Sequence, residues 1–279
     1  MIGLTIFTHS LRQVLGNVGM AVRISGWLAL VYIAFLAAML LWLPDWFLLA
    51  MQGVPVSPAN EPDIGAGGLL LLVVGLIAGL VFFFWAITVV AIAWHRFILL
   101  EEFPSGFIPY RNNFRIGRYF WIGVGISVLA ALVVGFVSGI LGMVFGPFFL
   151  ASVESFAQTS SLQFIGTTFL IGMVLGLIVA VLYLRMALIL PAIALDDGMT
   201  IGQAWEATGG YTVAIFVLAL VLAFINVVVS IGMEMAFGSA GGGWFYMAIA
   251  GLYQWFFFML NVSVLSTLYG HIVQKREIF

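Results

Sequence analysis

The sequence predicts an all-α integral membrane protein of six transmembrane helices, with three amphipathic helices on the cytoplasmic surface. Three observations carry that expectation. The chain is 64% hydrophobic and 7% charged over 279 residues, against about 25% charged residues in a soluble domain. It contains six apolar runs of the roughly 20 residues that cross a hydrocarbon core of about 30 Å. Its nine basic residues fall at alternate ends of those runs, the positive-inside pattern. Arg12 and Arg23 precede the first run, and Arg96, Arg111, Arg115 and Arg118 lie between the second and third. Arg185 closes the fourth, and Lys275 and Arg276 follow the sixth. The intervening connections carry Asp45, Glu61, Asp63, Glu154 and Glu234 and no base. Both termini are therefore expected in the cytoplasm.

The elements follow in order. Residues 2–22 place Ile2, Ile6, Leu11, Leu15, Val18 and Val22 near one helical face, which predicts an interfacial helix lying on the surface. Ser10, Arg12, Gln13 and Asn17 interrupt the apolar pattern, so no cleavable signal peptide is expected. The first span covers about Trp27 to Pro44, with Trp42 and Trp46 as interface anchors. Pro55, Pro58 and Pro62 mark an extended outer loop. Span two runs from about Leu69 to Trp94 and ends at His95-Arg96, and residues 104–118 form a second surface stretch. Span three covers about Tyr119 to Val144 and exits at Gly146-Pro147; span four covers about Phe164 to Leu184. Pro191 and Asp196-Asp197-Gly198 stop that helix, and Thr200 to Thr208 makes the third surface helix. Span five is about Tyr211 to Met235, the tip Gly238 to Gly243, and span six about Trp244 to Tyr269.

This layout predicts one membrane domain built from three repeats of surface helix, outward span and inward span, at 1–103, 104–198 and 199–279. Arg96, Arg185 and Lys275 close the units at nearly equal spacing. Evenly sized hairpins would give similar spacing without a true repeat.

Composition also excludes chemistry. With no cysteine, thiol catalysis, Cys-ligated zinc and iron–sulfur clusters are ruled out. The phosphate-cradling Gly-x-x-x-x-Gly-Lys-Ser/Thr loop, His-Glu-x-x-His and Gly-x-Ser-x-Gly are absent. No ionisable residue falls at the centre of a span, where coupled carriers keep one. No enzyme activity, cofactor, metal or nucleic-acid partner is expected; the bases are few and tied to helix ends. His9, His95 and His271 lack metal-ligand spacing.

Two groups of candidate residues remain. The first is a cytoplasmic rim cluster of His95, Arg96, Glu101, Glu102, Arg185, Asp196, Asp197 and Trp205. It reads as a ring of base–acid pairs joining the units, with Arg185 and Asp196 coupled, or as a cradle for an anionic headgroup; simple snorkelling of the arginines is the bland alternative. The second group is Asn226, Gln254 and Asn261, at mid-depth in spans five and six. A bond between Asn226 and Gln254 would glue adjacent helices, and a substrate path would want the same groups. Gly75-xxx-Gly79, Gly135-xxx-Gly139, Gly142-xxx-Gly146 and Gly172-xxx-Gly176 predict close internal helix packing, or else self-association or partner docking.

The stretch Arg185…Leu190-Pro191-Ala192-Ile193-Ala194-Leu195-Asp196-Asp197-Gly198, followed by Ala204-Trp205-Glu206-Ala207-Thr208-Gly209-Gly210, resembles a widespread group of bacterial six-helix inner-membrane proteins of unsettled function. These are similar to the membrane domain attached to some bacterial glycerophosphodiester phosphodiesterases. No phosphodiesterase domain accompanies the motif here, so the resemblance implies location in the bacterial inner membrane and carries over no catalysis. From the residues alone, Pro191 interrupts the helix, Asp197 or Thr200 caps the next one, and Trp205 anchors it. The functional expectation is a non-enzymatic scaffold, assembly or accessory subunit of a membrane complex, with membrane lipids and an integral membrane protein as partners. The alternative is a facilitator or lipid-handling carrier for a small or anionic amphipathic ligand.

Overall fold

The structure, a computed structural model, describes residues 2–42, 66–104, 106, 109–110, 112–156, 162–237 and 244–278. Every regular element among them is helical: α1 (Ile2–Gly16), α2 (Val18–Trp42), α3 (Ala66–Leu100), α4 (Asn113–Phe156), α5 (Leu162–Met186), α6 (Ile189–Leu195), α7 (Ile201–Ala207), α8 (Thr212–Phe237) and α9 (Trp244–Ile272). A 3-10 turn at Gly209–Tyr211 joins α7 to α8. Helices are the expected solution, because in lipid each segment must satisfy its own backbone groups. Five helices among the described residues are long and apolar enough to cross a membrane. The α1–α2 pair, bent by 75°, makes a sixth if counted as one span. The chain is a multi-pass, all-α membrane protein. Trp46, the prolines of the outer loop and the tip at Gly238–Gly243 lie outside the described residues.

Two of the predicted surface helices need correction. Residues 104–118 do not form a separate element: the described residues from Glu101 to Asn112 are non-helical, and Asn113 opens α4, which continues into the span. That span does not exit at Pro147, since α4 runs through it to Phe156. The N-terminal helix exists, but it does not simply lie on the surface. It packs against α8 and α9 through Gly3, Ile6, Ser10 and Val14, while Ile2, Leu15, Val18 and Val22 of the predicted face are exposed. The physical reason is that lipid is as apolar as leucine. Close-fitting small and hydroxyl residues therefore choose the buried face, and large apolar ones can remain outside.

Buried side chains concentrate toward one end of the spans, on α3 from Ala86 to Leu99, α9 from Met259 to Ile272, and the α5–α6 region from Leu184 to Ala194. Away from that end the helices present Leu80 to Phe84, Leu132, Phe136, Phe224 and Met235 outward. At the packed end α6 is the hub. Ile189 to Ala194 are all buried, against α3, α4 and α9. Pro191 sits in the first turn of α6, where its missing N–H is no loss. The break at Ala187–Leu188 removes the clash it would otherwise make with the carbonyl four residues back.

Candidate functional site

Three arginines tie the packed end together by reaching distant backbone carbonyls. Arg96 Nη1 donates to the Ala194 carbonyl (2.7 Å), Arg185 Nη2 to that of Trp205 (2.9 Å), and Arg276 Nη2 to that of Leu99 (2.6 Å). Between the segments 1–103, 104–198 and 199–279 these bonds run first to second, second to third and third to first. The third base is Arg276, whereas the sequence pointed to its neighbour Lys275. Glu101, Asp196 and Lys275 all take left-handed backbone conformations, with φ of 55°, 68° and 58°. Each follows the end of its helical segment and turns the chain there. The N–H of Asp196 caps α6 by donating to Ala192 and Ile193.

The acids serve other partners than expected. Glu102 pairs with Arg96, and that guanidinium holds its carboxyl below the ordinary carboxylate range. Asp196 pairs with Arg115, not with Arg185, so the predicted Arg185–Asp196 contact is absent. Asp197 accepts a hydrogen bond from the Tyr269 hydroxyl and leaves the capping of α7 to Thr200. Thr200 accepts from the Gln203 N–H, while the Gln203 side chain accepts from the Thr200 N–H; this is a reciprocal capping box. Arg185 lies 3.6 Å over the Trp205 ring, and its Nε donates to Thr208 Oγ1 (3.1 Å). The motif residues Trp205 and Thr208 thus form the seat of Arg185. Glu101 remains exposed.

His95 belongs to a different environment from the rest of the rim. It is fully buried, with Nδ1 2.8 Å from Ser266 Oγ and Nε2 3.1 Å from the Tyr119 hydroxyl. Ser266 in turn donates to the Val262 carbonyl (3.0 Å). A neutral ring protonated on Nδ1 satisfies every member: it donates to Ser266 and accepts from Tyr119. Trp94 donates to Ser263 (2.7 Å), Ser10 to Thr267 (2.9 Å), and Trp255 to Ser25 (2.7 Å). Sequence reasoning missed this hydroxyl stripe. Its signal was Ser263, Ser266 and Thr267 at helical spacing in an apolar span, opposite the adjacent pair Trp94-His95.

The mid-depth amides do not join α8 to α9. Asn226 Oδ1 accepts from Ser230 (3.3 Å) and Asn261 Nδ2 donates to the Phe257 carbonyl (2.7 Å), each within its own helix, while Gln254 is exposed. The glycine faces also differ from internal packing. A Cβ added at Gly75, Gly135, Gly139 or Gly176 would meet nothing within 4 Å. Two depressions stand out. One of about 590 Å³ at the rim is lined by Asp197, Met199, Gln203, Glu206 and Val273. The other, of about 330 Å³ and almost wholly apolar, runs along the α5–α8 seam past Val174, Leu177, Ile178, Val181, Leu182 and Phe216. Among the described residues no three His, Asp or Glu side chains converge as metal ligands. Comparison with protein-family models, curated proteins and solved structures gives no match, so the functional reading rests on this geometry.

Proposed function

We propose that the chain is a non-enzymatic scaffold or accessory subunit of a membrane complex, working through the surfaces its spans present. The observation that carries this reading is the open space beside Gly75, Gly135, Gly139 and Gly176. Small residues on a transmembrane helix let a second backbone approach closely, and among the described residues no neighbouring helix occupies that space. The exposed Phe82, Phe83 and Phe136 add apolar relief to α3 and α4. His95, Trp94 and Ser10 of the packed end are bonded to hydroxyls of α4 and α9, which favours a fixed body over a carrier's wet path. We place the basic end in the cytoplasm of a bacterial inner membrane on the distribution of bases and on the Arg185–Gly210 resemblance. Three repeated units, linked by the arginine–carbonyl bonds, belong to the same proposal.

The test is purification from native membranes in gentle detergent, with mass spectrometry of everything that co-elutes. A stoichiometric membrane protein that is lost on Gly135→Leu, with the melting temperature unchanged, is the expected result. A lone monomer carrying a transported small molecule would replace this reading with the carrier.

A further inference from the structure

The α5–α8 seam combines an apolar groove with a cation at its end. Val174, Ile178 and Val181 line the groove from α5 and Phe216 from α8. Arg185 follows on the same helical face, four residues beyond Val181. From Val174 to Arg185 the rise is about 16 Å at 1.5 Å per residue, close to half of a hydrocarbon core of roughly 30 Å. The groove is therefore one leaflet long.

The guanidinium at its end is held but not neutralised. Nε and Nη2 are taken by Thr208 and the Trp205 carbonyl, and the Trp205 ring covers one face. No carboxylate lies within ion-pair distance of Arg185 among the described residues, whereas Arg96 and Arg115 each have one. A fixed cation with its Nη1 edge unassigned suits a phosphate oxygen, which guanidinium binds through charge-assisted hydrogen bonds. Trp205, itself 39% exposed, has the amphipathic ring found at headgroup level.

We infer that the α5–α8 seam is a binding site for one anionic phospholipid, with its phosphate on Arg185 and an acyl chain along Val181, Ile178 and Val174. The site stands independently of the scaffold reading, since a lipid can be held whether or not a protein partner is.

Native mass spectrometry of the delipidated full chain, titrated with phosphatidylglycerol, phosphatidylcholine or inorganic phosphate, tests it. One phosphatidylglycerol is expected to bind in preference to phosphatidylcholine by roughly tenfold, because both offer a phosphate to Arg185 but only phosphatidylcholine brings a quaternary ammonium beside that guanidinium. Arg185→Gln should abolish that preference. Ile178→Trp, at a side chain 42% exposed, should weaken both lipids by obstructing the groove without touching the packed end. Equal binding of the two lipids by the parent chain would overturn the assignment. So would phosphatidylglycerol binding unaltered by Ile178→Trp, or inorganic phosphate bound as tightly as the lipid.

Discussion

His95 spends both of its ring hydrogen bonds inside the protein. Replacing Ser266 with Ala strands the donor Nδ1–H in a fully buried site, a loss of about 1–3 kcal/mol for an unsatisfied buried group. Thermal unfolding in detergent should show it, and Ser230→Ala, on an exposed hydroxyl, should not. The Arg96–Glu102 pair offers a pH test. A carboxyl whose folded-state titration lies below its unfolded value stabilises the fold above the unfolded value. That contribution is lost as pH falls through the folded one. The melting temperature should therefore decline below the ordinary carboxylate range, near pH 4, and Glu102→Gln should flatten part of that decline. Because half of the Glu102 side chain is exposed (52%), the effect is small and weakens with salt.

At the scale of elements, α6 and α7 define how the rim responds to mutation. Arg185 serves α7 and the following turn through Trp205 and Thr208, while Asp196 serves α4 through Arg115. Arg185→Ala and Asp196→Ala should therefore lower stability independently. Their sum should match the double mutant within about 0.5 kcal/mol, as for sites with no shared partner; a double mutant no worse than either single would contradict these contacts. The elements themselves were largely legible. Apolar length marked the spans, Pro191 the break between α5 and α6, and Thr200, one of two expected caps beside Asp197, the start of α7. Facing was not legible, because a helix bordered by lipid on one side and apolar neighbours on the other has little contrast to read. Hence α1 buries Gly3 and Ser10 in place of Ile2 and Leu15, and Gly75, Gly135 and Gly139 have no described neighbour where a Cβ would stand. Arg96 and Arg185 were identifiable from their placement, whereas Arg115 and Arg276 were not. The carbonyl partners were not legible either, since backbone carbonyls carry no residue-specific signal.

At the scale of the whole molecule, the buried side chains among the described residues gather at the basic end. The chain meets itself there from opposite ends of its length, with Ser10 bonded to Thr267 across 257 residues. Gly3 sets how closely α1 can approach α8: a Cβ at that position would lie 2.3 Å from the Ala214 carbonyl oxygen, and backbone cannot step aside as a side chain can. Gly3→Ala should cost about 1–3 kcal/mol, as overpacking does, and should leave residues 2–16 open to protease while the spans stay protected. The same contact has a temporal side. Ribosomes add about 5–20 residues per second, so the helix made first waits tens of seconds until the strip bearing Thr267 has been translated. During that interval α1 can have its contacts with α8 but not the Ser10–Thr267 bond, so the α1–α9 seam closes last.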